Sequence, residues 1–441
     1  MCFTIPRMVR RVLVFVGLVV AVALASAAPA LATQPYMLNY NHVNFSDSTP
    51  EGLVNTNGTL TLADGVLPTF DYTDPHASVP VLGEEVDGSG TYVYGTWTSP
   101  VYDSSFPFTE VVSSWNAQTS PGTWIQSEVK PLIDNGHWAK WYILGRWTYN
   151  DSDFHRTSVG GQGDADGFIA VDTFFTKDHP AVAYQLRLKI FRREDLPAAL
   201  APVSVSRYSA VVSNLRNQRS TFPSATTMNN QEIDLGLPSY SQEIHHGHYP
   251  EFDNGGEAWC SPTSTAMVVQ YWEDLTDTLY APTDEETSWV NPPVDPDVDY
   301  TARFVYDYRY QGAGNWPFNT AYAAERGLVG DVTMLHNLSE AEPFIKEGIP
   351  LVASVAWSSN KLDTAIKSTN GHLMVIGGFK PDGRVIAYDP ASDTNAQVKH
   401  IYNREQFEKA WIPASGGVVY VIRPQGYRTA VVEALLAAHN S

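Results

Sequence analysis

The chain is poor in cysteine, with only Cys2 and Cys260 among 441 residues. A disulfide framework is therefore limited to that one pair. Positive charge is also scarce: 28 Lys plus Arg stand against 48 Asp plus Glu, a formal net charge of −20. Such a surface repels phosphate backbones and anionic lipid, which argues against nucleic acid as a partner. Long apolar runs are lacking apart from Val12 to Ala25, which is shorter than the roughly 20 residues that a membrane span needs.

That run has the layout of an export signal. Arg7, Arg10 and Arg11 precede it, and small residues ending Ala30-Leu31-Ala32 follow it. The expectation is cleavage after Ala32, removal of residues 1–32, and a secreted, extracellular protein with no further membrane contact. Cys2 leaves with the signal, so Cys260 becomes the one thiol of the mature chain. A lone thiol in an exported protein either pairs with another chain or does chemistry.

What is present is apolar and aromatic residue, 43% and 12% of the chain, enough for two cored domains. From Tyr36 to Asn214 the pattern has period two. Val182, Tyr184, Leu186, Leu188 and Ile190 alternate with Ala183, Gln185, Arg187 and Lys189, as a half-buried strand requires. Tyr92 to Thr98, Thr123 to Val129, Trp138 to Trp147 and Phe168 to Phe174 read likewise, separated by turns such as Asn57-Gly58 and Ser120-Pro121-Gly122. Residues 33–214 are expected to form an all-β sandwich. The stretch RNQRSTFPSATTMNNQEI, Arg216 to Ile233, is polar and aperiodic. It reads as a linker, residues 215–234, between separable halves.

Residues 235–425 switch to mixed α and β, and residues 426–441 are left as a tail. A helix is expected just beyond Cys260, with Pro262 in its first turn. Ser339 and Glu342 read as the capping box of a second helix ending at Gly348. Strands are expected at Ile349 to Ala356, His372 to Phe379, Arg384 to Asp389 and Val418 to Ile422, with a helix near Glu405 to Trp411. The domain class is α+β.

Cys260 falls at the head of its helix, where unpaired N–H groups and the helix dipole favour a thiolate. The competing reading is an inert cysteine packed against Trp259. A thiolate nucleophile needs a base, and the base needs a group to hold its tautomer. His372 opens the strand HLMVIGGF, and Asp389 closes RVIAYDP beyond the turn Lys380-Pro381-Asp382-Gly383. If Phe379 pairs with Arg384, Asp389 lies opposite Met374, a diagonal neighbour of His372. A slip of one residue would separate the two side chains.

The segments SQEIHHGHYPEFDNGGEAWCSPTSTAM, NGHLMVIGGF and AYDPAS resemble, in this order, the bacteriocin-processing (double-glycine leader) cysteine peptidase family, in its stand-alone secreted type with a papain-like fold. The resemblance covers Leu235 to Pro424. It implies a papain-like cysteine peptidase domain with Cys260 as nucleophile, His372 as base, Asp389 as orienter and Gln242 as oxyanion-hole donor, acting on amide bonds of a peptide or protein substrate. Gln242 lies further upstream of Cys260 than is usual in the family, across a His-rich insert, and Ser261 stands where glycine is common. No transporter domain follows, so export-coupled leader cleavage is not expected. Peptidoglycan amidase or endopeptidase action is the enzymatic alternative. An inactive cell-surface protein that holds a glycan is the non-enzymatic one, and a glycan or cell-wall contact is assigned to the N-terminal domain.

No cofactor and no metal are expected. His245, His246 and His248, with Glu243 and Asp253 nearby, fit no familiar zinc spacing and read as a solvated loop. Asp164-Ala165-Asp166-Gly167 lacks the flanking ligands of a calcium loop and reads as a plain turn. Gly312 to Gly327 reads as a loop entering a helix, with Trp316 in the core.

Overall fold

The computed structural model describes residues 37–215, 221–358, 362, 366–438 and 440. The segment read as an export signal lies outside them. The described strands form three antiparallel sheets.

Thirteen strands build the N-terminal, β-rich half: β1 (Met37–His42), β2 (Leu53–Thr56), β3 (Thr59–Leu62), β4 (Thr69–Tyr72), β5 (Gly90–Thr98), β6 (Tyr102–Phe108), β7 (Glu110–Thr119), β8 (Thr123–Ile133), β9 (Tyr142–Trp147), β10 (Gly167–Ala170), β11 (Thr173–Thr176), β12 (Ala181–Arg193) and β13 (Val203–Asn214). One sheet runs β10-β11-β7-β13-β3-β2 with β1 also on β13, and the other β4-β5-β12-β8-β9 with β6 also on β12. The sheets face each other, and Ser113 of β7 meets Ser127 of β8 at 2.8 Å between them. Asn57 and Gly58 both take positive φ, 53° and 86°, as a tight hairpin between β2 and β3 demands.

Three strand expectations are corrected. The alternation in β12 holds from Tyr184 to Ile190, but a register shift between Ala181 and Ala183 leaves Val182 only half-buried and Ala183 buried. Phe168 to Phe174 is two strands rather than one, because Val171 adopts φ of 56° and folds β10 back on β11. Trp138 makes only an isolated bridge to Leu132, and β9 begins at Tyr142.

The C-terminal half adds β14 (Ile233–Asp234), β15 (Leu328–Met334), β16 (Leu351–Trp357), β17 (Thr369–Phe379), β18 (Val385–Tyr388), β19 (Lys399–Tyr402) and β20 (Val418–Pro424). They form the sheet β15-β20-β16-β17-β18-β19, with β14 on β17. Six helices accompany it: α1 (Cys260–Thr276), α2 (Pro296–Val305), α3 (Trp316–Glu325), α4 (Leu338–Lys346), α5 (Arg404–Ser415) and α6 (Thr429–Ala438). The helix α4 starts a residue before the expected capping box. Asn337 caps it by accepting from the Glu340 N–H, while Ser339 donates to the Ala225 carbonyl and Glu342 turns to Thr226, Thr227 and Arg404. The expected tail contains α6, whose Glu433 pairs with Arg207 and Arg423. Trp316 is half-buried at the head of α3 rather than enclosed. Among the described residues no helix is long and apolar enough to cross a membrane.

The stretch expected to be a free linker is docked from Phe222 onward. Ser224 donates through N–H and hydroxyl to Glu408, and Thr227 does the same to Glu342. Nor do the halves meet through few contacts: one apolar core runs through both. Phe318 of α3 sits between Trp115 (6.2 Å) and Trp147 (5.3 Å). The Asn116 side chain donates to the Gly330 carbonyl (2.6 Å) and accepts from its N–H (3.2 Å), imitating a strand neighbour of β15. Gly330 has to be glycine, since a Cβ would collide with the Thr320 carbonyl oxygen. Buried Asp331 is gripped by Arg207 (2.7 Å) and Tyr40 (2.8 Å), and Asp151 by Arg303 (2.7 Å). Asp172 accepts the Trp316 N–H at 2.8 Å at the start of α3, and its burial pushes the carboxyl up to about 6. Removing one partner from such a buried pair costs about 3–5 kcal/mol, so these links bind the halves firmly.

Candidate active site

The helix α1 is buried almost all round, from Ser261 to Val269 and again at Tyr271 and Trp272. Its first turn is rich in small hydroxyl residues, and three of those hydroxyls fix its placement. Ser261 meets the Tyr420 hydroxyl (2.9 Å), Ser264 donates to the Leu373 carbonyl (3.2 Å), and Thr265 donates to Asn319 Oδ1 (3.1 Å). Ser261, which replaces the glycine common in the resembling family, thus turns into the core. The bond to Leu373 ties the head of α1 to the residue next to His372. Cys260 is the first residue of α1 and half-buried, and no side chain caps the helix there. The dipole and the uncapped N–H groups therefore act on the thiol.

His372 lies on β17, paired with Val355 of β16, and is 3% exposed. Its Nε2 meets Asp389 Oδ1 at 2.7 Å, and the Cys260 thiol is near enough to act on the charge of the ring. The pairing of β17 with β18 begins at Phe379↔Val385 rather than at Arg384, and a shift between Ile376 and Gly378 restores the register to Val375↔Tyr388. Gly377 accommodates that bulge, since a Cβ there would stand 2.6 Å from the Tyr388 ring. The two offsets cancel, and Asp389 arrives beside His372.

Asp389 is completely buried. Oδ1 also accepts the Ala391 N–H (3.1 Å), and Oδ2 accepts the Tyr402 hydroxyl (2.7 Å). Burial alone would raise its pKa, but the His372 charge and these donors outweigh burial and hold the carboxyl far below the usual carboxylate range. For His372, burial lowers the pKa, and Asp389 together with Cys260 overcomes it, so the imidazolium is favoured. The Trp357 ring stands edge-on to His372, centroids 5.9 Å apart, and shields that charge from water.

Gln242 is buried, its N–H bonded to the Pro390 carbonyl (2.8 Å) and its Nε2 to the Glu257 carbonyl (2.9 Å). It is thereby held between the loop after Asp389 and the approach to Cys260, and its Oε1 has no hydrogen-bond partner among the described residues. The His-rich insert is not the solvated loop expected. His245 is fully buried with Nδ1 2.8 Å from Asp299 Oδ2, and His248 Nδ1 lies 3.0 Å from Asp299 Oδ1. Of the three histidines, only His246 faces solvent, beside Glu257. Asp253 instead accepts the Ala313 N–H, and Glu243 lies against Gln242. Asp164 accepts from Tyr142 and pairs with Lys140, so cationic and hydroxyl groups already occupy that turn.

Sequence reasoning misses Tyr402, Trp357 and Asp299. Asp299 carries a usable signal, an acidic residue on the apolar stripe of α2 with Ala302. Tyr402 and Trp357 carry none, since each reaches the site only through sheet pairing.

Residues 38–213 match the model of the peptidase C39 N-terminal domain, and residues 235–419 match that of the peptidase C39 like family. A search of curated proteins finds no match. Among solved structures, a C39-like peptidase from Bacillus anthracis aligns with 44% of this chain and 98% of its own at 15% identity and a TM-score of 0.26. The kappa-carrageenase of Pseudoalteromonas carrageenovora aligns with 43% of this chain and 100% of its own at 12% identity and a TM-score of 0.19. The two family matches adjoin in one chain, and they support the C39 peptidase family, a peptidase C39 N-terminal domain followed by a peptidase C39-like domain.

Proposed function

We propose that the protein is an exported cysteine peptidase of papain-like type that hydrolyses amide bonds of peptides or proteins. The observation that carries this reading is buried His372, whose Nε2 lies 2.7 Å from the Asp389 carboxylate and whose pKa is raised by that carboxylate and by the nearby Cys260 thiol. In the proposed reaction the Cys260 thiolate attacks the scissile carbonyl carbon. The oxyanion forms against the Cys260 N–H, and Gln242 joins it as a donor once its Nε2 leaves the Glu257 carbonyl that it holds at 2.9 Å. Collapse breaks the C–N bond as the His372 imidazolium protonates the leaving amine, which gives a thioester. His372 then takes a proton from water, the resulting hydroxide attacks the thioester, and Cys260 leaves as thiolate. Asp389 holds the ring and its charge throughout.

The N-terminal half serves in this account as a buttress, since Trp115, Asn116 and Trp147 pack on α3 and β15. The test is digestion of a peptide library by the mature protein and by Cys260→Ala. Cleavage by the first and none by the second supports peptidase action. Cleavage restricted to cell-wall peptides would move the substrate to peptidoglycan, and equal silence from both proteins would contradict the proposal.

A further inference from the structure

His245, His248 and Asp299 take no part in the chemistry above, yet they form the densest ligand cluster outside it among the described residues. Each offers one ligand atom, and the three atoms lie within 4.8 Å of one another. The imidazole rings stand at 85° with centroids 5.3 Å apart, so both reach the same carboxylate without stacking. His245 and Asp299 are fully buried, and the His248 side chain is 13% exposed.

Charge is the first argument. Among the described residues the ion-pair partners of Asp299 are these two histidines, with neither Lys nor Arg beside it. A buried carboxylate is stable only with a counter-charge or a full set of partners. A divalent ion held by the two ring nitrogens and the carboxylate supplies that counter-charge. Two nitrogen ligands and a carboxylate suit zinc and its neighbours rather than calcium or magnesium, which prefer oxygen.

Backbone strain is the second. Tyr249, Asp253 and Asn254 have φ of 41°, 65° and 62°, beside Gly247 and Gly255, which are also positive. Such conformations persist where the surroundings over-determine them. The same loop bridges His246 to Gly255 and leads directly to Trp259 and Cys260. Its other end is Gln242, whose carbonyl accepts the His245 N–H at 3.0 Å.

We propose that His245, His248 and Asp299 bind a divalent transition-metal ion of zinc type, which braces the segment joining Gln242 to Cys260 and leaves a fourth position to water. The role is structural, and three protein ligands are enough to order the loop.

The test uses untagged full-length protein carrying Cys260→Ala, so that the thiol neither binds metal nor reports on catalysis. After dialysis against chelator, zinc chloride is added, and metal content and thermal unfolding are measured. The expected result is one zinc per chain and a rise in Tm of several degrees, with no response to calcium. His248→Gln and Asp299→Asn should each weaken zinc binding by more than about tenfold, a larger loss than an outer-shell change produces at the low end. Absence of bound zinc with an unchanged Tm would overturn the proposal and leave the cluster a hydrogen-bonded one. So would unchanged zinc binding by His248→Gln, which decides the matter if Asp299→Asn does not fold.

Discussion

Tyr402 donates its hydroxyl to Asp389 Oδ2 at 2.7 Å, on the carboxylate oxygen that His372 does not use. A hydrogen bond to a buried charge is worth about 1.5–3 kcal/mol, and this one supports the carboxylate that in turn supports the imidazolium. Tyr402→Phe should therefore lower kcat by about tenfold and leave KM nearly unchanged, since about 1.4 kcal/mol corresponds to a factor of ten. Steady-state kinetics on a cleaved peptide checks this. An unchanged kcat would show that the Tyr402 bond does not reach the chemistry.

Asp172 gives a prediction about pH and stability. Its folded pKa, pushed up to about 6 by burial, lies above the roughly 3.9 of an unfolded aspartate. Between those values the folded state binds more protons than the unfolded one, so stability falls as pH rises through the window. Asp172→Asn keeps an acceptor for the Trp316 N–H and removes the titration. Relative to wild type, the variant should gain on the order of 2–3 kcal/mol between pH 3.5 and pH 7.5, read by chemical denaturation at both values. A difference independent of pH would contradict the assignment.

Separating the halves should fail, against the expectation from the polar linker. A chain beginning at Asn229 would expose Phe318 and leave Asp331 without Arg207 and Tyr40. It should aggregate or lose near-ultraviolet circular dichroism while keeping much of its far-ultraviolet signal. A monomer with native near-ultraviolet bands and full activity would show that the interface contributes little.

How much of this is legible in the sequence varies with the range of the interaction. The alternation from Tyr184 to Ile190 exposes its strand because one face is buried and period two is local. Cys260, His372 and Asp389 are legible as a set because a tight turn fixes which residues face each other across β17 and β18. The register drawn from Phe379 with Arg384 is off by one residue, and the bulge at Gly377 cancels that error. Bulges leave little trace in composition. The interface between halves is illegible for another reason: the polarity of a connector says nothing about what Trp115 or Phe318 packs against. The histidine insert reads as solvated because its partner, Asp299, lies 54 residues beyond His245, too far along the chain for spacing alone to pair them.

In the proposed mechanism Cys260 and His372 form a thiolate–imidazolium pair. That pairing is tested most directly by the rate of Cys260 alkylation by iodoacetamide as a function of pH, in wild type and in His372→Ala. The account predicts fast alkylation persisting down to about pH 6, well below the roughly 8.5 at which a free cysteine ionises, and loss of much of that reactivity at pH 6 in the variant. Alkylation that follows a model thiol across the whole range, or a profile that His372→Ala leaves unchanged, would contradict it.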